Sequence, residues 1–173
     1  MTSSRRRSVE PCPILSRAHE CARMLHREII MSTLRTDVTI ALFRERGRDC
    51  LPGYMGVEML SISQGTGSSR IAIKPMHIAP NTYLHAASII ALADSTCGFC
   101  TEAHLPPGAA SFTTVELKSN HLSTIRSGTV TCVATAVHLG RSTQVWDAIV
   151  ADEATGNRLA LYRCTQMILW PKP

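Results

Sequence analysis

The run Leu84-His85-Ala86-Ala87-Ser88-Ile89-Ile90-Ala91-Leu92-Ala93-Asp94-Ser95-Thr96-Cys97-Gly98-Phe99 is almost wholly apolar or small, and Asp94 is its one acidic side chain. It predicts a helix. A helix without a polar face must be buried on nearly every side. Asn81 and Thr82, just upstream, are residue types that cap helix starts, and Pro75 and Pro80 bracket an irregular segment before them. The longest apolar stretch, Ala86–Ala93, falls far short of the roughly 18 residues that cross a bilayer. A membrane span is excluded, so the greasy helix belongs inside a protein.

What covers it follows from the flanking sequence. Downstream, past Pro106-Pro107-Gly108, come four strand-like runs: Ser111–Leu122, Gly128–His138, Ser142–Asp152 and Arg158–Trp170. Val130, Cys132, Ala134 and Ala136 occupy alternate positions, as do Gln144, Trp146, Ala148 and Val150. The links Leu139-Gly140-Arg141 and Ala154-Thr155-Gly156-Asn157 are short, which predicts antiparallel neighbours. Upstream, Tyr54–Ser63 and Arg70–Lys74 read as a hairpin around the turn-rich 64–69. Leu34, Val38, Ala41, Leu42 and Glu45 recur at helical spacing, predicting a helix over 34–46 that Gly47 and Pro52-Gly53 stop. Helix, two strands, buried helix, four strands: an antiparallel sheet curling around one apolar helix satisfies this order, an α+β architecture.

Length and composition agree. The chain has 173 residues, 45% hydrophobic and 18% charged, a globular composition that suits one domain. Its net charge of +5 suggests a nucleic-acid partner until it is divided. Residues 1–30 carry six arginines and three glutamates, so most of the excess sits in a leader and says little about the domain's partners. No nucleic-acid motif, phosphate loop or serine nucleophile elbow occurs. Seven cysteines without framework spacing suit a reducing cytoplasm, and a cytoplasmic location is expected. The Arg-rich start lacks an apolar core and is no secretory signal. Either it is a weak organelle-targeting sequence, or Met31 is the natural start and the preceding residues are an extension. The expected division is an N-terminal extension over 1–33, with a short helix at Ser16–Ile29, and one domain over 34–173.

In order along that pattern stand several further motifs. Leu84-His85-Ala86-Ala87 with Ala91-Leu92-Ala93-Asp94 resembles the His-Gly-Gly … Asp segment of hotdog-fold thioesterases of the phenylacetate-pathway and 4-hydroxybenzoyl-CoA type. Val115-Glu116-Leu117-Lys118-Ser119-Asn120 resembles their strand after the helix. Val137-His138-Leu139-Gly140-Arg141 is similar to their His-x-Gly-Arg turn, and Leu161-Tyr162-Arg163-Cys164-Thr165-Gln166 to their last strand. The likeness spans roughly 34–171. It implies a hotdog fold, a curved antiparallel sheet wrapped around one long helix, and hydrolysis of an acyl-CoA or aryl-CoA thioester by a homodimer or homotetramer. Ala86 and Ala87 depart from it, standing where the family has two glycines. Alanine keeps the amide donor but adds a methyl that reshapes the acyl pocket.

Thioester hydrolysis needs stabilisation of an oxyanion and a group that activates water or attacks directly. A helix N-terminus carries unpaired amides and the positive dipole end. The resemblance assigns the Ala86 amide to the thioester carbonyl, His85 to shaping that end, and Asp94 to the role of general base or nucleophile. Asp94 and His85 are nine residues apart, about 13 Å along the axis, on opposite sides of the helix. One thioester cannot easily touch both within one chain, so a site shared between two subunits is expected.

Asn81 is either a helix cap or a substrate contact, and Ala87 adjoins the acyl pocket. Arg126, and Arg141 with Ser142 in the Gly-Arg-Ser turn, are the candidate anchors for the coenzyme A phosphates, which guanidinium grips in bidentate fashion. Lys118 and Asn120 either line the site or face solvent. Cys97-Gly98-Phe99-Cys100 falls at a helix C-terminus, where the dipole disfavours a thiolate, and reads as structural. His77, His104 and His121 lack metal-like partners, so no metal is expected. Nor is any cofactor, coenzyme A being part of the substrate. Two rival functions share this fold: a non-catalytic acyl-CoA binding protein, favoured by the two alanines, and a hydroxyacyl-thioester dehydratase.

Overall fold

The computed structural model describes residues 32–172, so the helix expected at Ser16–Ile29 and the Met31 boundary lie outside the described residues. Helix α1 (Ile40–Gly47) begins where Thr39 accepts the Leu42 N–H on its side chain. It does not reach back to Leu34 as the spacing suggests. The Leu34 N–H is given to Gln64 Oε1 and the Arg35 N–H to the Ala103 carbonyl, which ties this segment to its neighbours, and Thr39 is extended at φ −115°, ψ 161°. Leu34 and Val38 still pack against Phe43 and Met59 in a small second core. Pro52, expected to end a helix, instead sits in the first turn of the short α2 (Leu51–Tyr54), where its missing N–H costs nothing.

Strands β1 (Glu58–Ser63) and β2 (Thr66–Ala72) form the hairpin, but its turn is two residues, Gln64-Gly65, rather than six. Gly65 has φ +70°. The small polar run Thr66–Ser69, read as a loop, is paired strand because it lies against the central helix. A Cβ on Gly67 would stand 2.5 Å from Cys100 Sγ, and the buried Ser69 hydroxyl bonds Thr96.

That helix is α3 (Ala86–Ala103), which starts two residues later than its reading and ends four later. Its inner positions, among them Ile89, Leu92, Ala93, Thr96, Cys97 and Cys100, are buried. It is not covered all round, however. Ile90, Ala91, Asp94, Ser95 and Gly98 are half-buried, and Ala86 and Ala87 are exposed. Then follow β3 (Ser111–His121), β4 (Thr129–Leu139), β5 (Thr143–Asp152) and β6 (Arg158–Leu169), each within a residue or so of expectation.

All six strands form one antiparallel sheet in the order β1-β2-β4-β5-β6-β3. The short turns make β4, β5 and β6 neighbours, while β3 lies beyond β6 as an edge. Helix α3 packs against β2, β3, β4, β5 and β6. The core is Ile71, Ile89, Leu92, Val130, Trp146, Val150 and Leu159 with four buried thiols, Cys97, Cys100, Cys132 and Cys164. Its polar end is closed by His104: Nε2 accepts the Gly65 N–H at 3.0 Å, Nδ1 meets the Cys100 carbonyl at 2.7 Å, and Gln144 Nε2 donates to the His104 carbonyl. Among the described residues no helix is long and apolar enough to cross a membrane.

Candidate active site

The start of α3 is built by its own first side chain. His85 is the N-cap, extended at φ −68°, ψ 137°, and its Nδ1 accepts the Ala87 N–H at 2.9 Å. Its carbonyl takes the Ser88 N–H. Two further bonds fasten the turn to the segment before it: the His85 N–H and the Ser88 hydroxyl both donate to the His77 carbonyl, at 2.9 and 3.0 Å. The Ala86 N–H makes no hydrogen bond among the described residues. It is the one leading amide left open, at the positive end of an 18-residue helix. The Ala87 N–H, by contrast, is already used.

Asn81 and Thr82 do not cap the helix. Asn81 is exposed, and its Oδ1 accepts the Tyr83 N–H at 3.3 Å inside a turn where Thr82 has φ +70°. The Arg126 guanidinium lies 4.1 Å above the Tyr83 ring, on the same end of the molecule as His85. Arg141 lies over Trp170 at 4.8 Å, with Ser142 beside it. These two arginines bracket β4 (Thr129–Leu139), whose 11 residues at about 3.3 Å each set them roughly 35 Å apart. They cannot grip one nucleotide within one protomer. The expectation of a joint anchor is corrected to that extent.

Asp94 is half-buried on the face of α3 opposite His85. Tyr162, on β6 and 3% exposed, donates its hydroxyl to Asp94 Oδ1 at 2.7 Å. Burial and the adjoining carboxylate both raise the phenol's pKa, so Tyr162 stays protonated and remains the donor. Asp94 Oδ2 has no hydrogen bond among the described residues and is not sealed from solvent. Opposite Tyr162 in the sheet stands Ser119 of β3, on the helix side, its Oγ buried and without a partner. The same register puts Lys118 opposite Arg163 and Asn120 opposite Leu161 on the outer face, away from Asp94.

Tyr162 is absent from the candidate residues read from sequence. Nothing local marks it; it becomes visible only when β6 is laid under α3. A cleft of about 520 Å³ between α1, α2, β1 and Phe99 includes neither His85 nor Asp94. Among the described residues, no group of three or more His, Cys, Asp or Glu side chains is placed to hold a metal.

A six-stranded antiparallel sheet on one long central helix, with an open amide at its start and a tethered carboxylate midway, is a hotdog protein. The family model described as the thioesterase superfamily matches residues 81–157. A 1,4-dihydroxy-2-naphthoyl-CoA hydrolase of Listeria monocytogenes is 32% identical over 111 residues, 64% of this chain and 89% of the relative. The crystal structure of a mutant of the thioesterase PA1618 of Pseudomonas aeruginosa superposes with a TM-score of 0.75 at 24% identity, covering 80% of this chain and 99% of that one. The thioesterase HI1161 of Haemophilus influenzae gives 0.73 at 22%, covering 79% and 94%. The chain belongs to the thioesterase superfamily, and it is a thioester hydrolase.

Proposed function

We propose that this chain hydrolyses an acyl-CoA thioester, aryl acyl groups included, to the free acid and coenzyme A, in a site assembled from two subunits. One observation carries the reading: on a single helix, the open Ala86 N–H and the exposed-side oxygen of Asp94 stand eight residues apart, about 12 Å along the axis. The first suits the oxyanion, which a preorganised donor stabilises most when water is excluded. The second suits a base that takes a proton from the attacking water and returns it to the departing thiolate, or a nucleophile that forms an anhydride for water to open.

Since one thioester cannot easily bridge about 12 Å along a helix, the two roles come from different protomers. The half-buried stripe Ile90, Ala91, Asp94, Ser95 and Gly98, with the open edge of β3, where Val115 is 52% and Leu117 41% exposed, suits a second copy. Arg126, near the start of the helix, is the better anchor for a coenzyme A phosphate. Arg141 and Ser142 contribute only if a different subunit supplies them. The naphthoyl-CoA substrate in the Listeria relative's name supports an aryl ester.

Complementation tests the reading. Asp94→Asn and Ala86→Pro proteins are each expected to release thiol at about a hundredth of the wild-type rate or less from a panel of short aromatic and long aliphatic CoA esters. Mixed and allowed to exchange subunits, half the dimers are heterodimers with one intact site of two, and about a quarter of wild-type activity returns. No recovery, with exchange verified, rules out the shared site. A second reading, acyl-CoA binding without turnover, is favoured by the exposed Ala86 and Ala87 methyls; tight binding of the esters by a wild-type protein that releases no thiol establishes it.

A further inference from the structure

We infer that Tyr162 is the positioning residue of the reaction: its buried hydroxyl holds Asp94 Oδ1 and leaves Oδ2 as the one oxygen available to act. The inference rests on the catalytic reading of Asp94 given above and goes beyond it.

A carboxylate on a helix rotates about its side-chain bonds, and either oxygen can present itself. Here rotation is blocked. Tyr162 is anchored on β6 between the buried Ala160 and Cys164 and reaches the helix with its ring sealed from solvent. Its hydroxyl meets Oδ1 at 2.7 Å, at the longer limit for a hydroxyl bonding a charged oxygen and within the ordinary hydroxyl range. One turn along α3 and two residues along β6, Cys97 and Cys164 repeat the contact as buried thiols, so helix and strand are packed together below the pair. The phenol therefore cannot swing away without opening the core.

Two consequences follow. Tyr162 holds the carboxylate without a competing positive charge, which would quench it as a base. It also fixes the direction of Oδ2, the half of the carboxylate that is neither bonded nor sealed. Ser119, cross-strand from Tyr162 with an unpaired buried Oγ, extends the polar wall toward the sheet edge. No charged group is required for any of these effects.

Tyr162→Phe removes the hydroxyl and keeps the ring. In the full chain, kcat/KM for the hydrolysed ester is expected to fall by about ten- to a hundredfold, the size of one hydrogen bond to a charged group. The loss is expected in kcat, with KM within about twofold of wild type and the melting transition still cooperative. A merely structural role raises KM as well or broadens the melting transition, and that result overturns the inference. So does wild-type kcat in the variant. The catalytic reading has its own control: if Asp94→Asn retains full activity, or the wild type releases thiol from no ester, that reading fails, whatever Tyr162→Phe does. Loss of activity in Asp94→Asn with wild-type kcat in Tyr162→Phe sinks the positioning role alone.

Discussion

His85 Nδ1 accepts the Ala87 N–H at 2.9 Å, so the residue that caps α3 also decides which of its first amides stays open. Had Asn81 or Thr82 capped the helix, the start would have been displaced. Because His85 sits at N-cap and takes the second amide, the first is left for a ligand. The cap and the amide proposed as oxyanion donor are adjacent parts of one turn.

Two substitutions separate stability from chemistry in that turn. Ala86→Pro deletes the open N–H at the first helical position, where proline is favoured. The preceding His85 is already extended, as a residue before proline must be. Thermal stability is expected to stay within a few degrees of wild type, while kcat falls about 10²- to 10³-fold, as for the loss of one oxyanion donor.

His85→Asp approaches the same turn from the other side. Aspartate caps well and favours the positive end of the helix dipole, so melting temperature is expected to hold or rise. Its charge stands beside the Ala86 amide proposed for the oxyanion, and thioester hydrolysis is expected to drop by at least about tenfold. Retained activity in this variant would exclude the helix start from the reaction.

Gly67 is held by packing rather than by backbone conformation. Its missing Cβ leaves room for Cys100 Sγ at 2.5 Å. Gly67→Ala is expected to destabilise the protein by about 1–3 kcal/mol through overpacking, read from denaturant midpoints. Adding Cys100→Ala removes the obstructing sulfur and should recover most of that loss; a purely additive double variant would show that the two positions do not share the space.

Acid sensitivity should report on His104. Burial lowers its pKa below the ordinary 6.5, and its Nε2 must be unprotonated to accept the Gly65 N–H. A histidine with a depressed folded pKa gives stability that is full above the unfolded value and lost as pH falls below it. The buried His77, lowered chiefly by burial and then by Lys74, acts in the same direction. Melting temperature is therefore expected to fall between pH 7 and pH 5. In His104→Gln the side-chain oxygen can still take the Gly65 N–H, but nothing titrates there. The acid-side fall should shrink.

The buried helix, the four later strands and their order in the chain were legible because each signal is local. Alternation along β4 and β5 and the apolar run of α3 state which faces are covered, and short turns fix neighbours. The misread places share a different cause. Thr66–Ser69 is polar and small like a loop, yet pairs as strand because α3 lies against it. Leu34–Thr39 has helical spacing, yet its amides bond Gln64 and Ala103.

For the candidate site, the sequence by itself determined the nine-residue separation that puts His85 and Asp94 on opposite sides of one helix, since helix geometry needs only counting. Tertiary structure alone decided that Ala86 rather than Ala87 keeps a free amide, that Arg126 and Arg141 stand at opposite ends of β4, and that Tyr162 holds the carboxylate. A hydrogen bond spanning 68 residues has no local signature, because its two partners become neighbours only when the sheet closes over the helix.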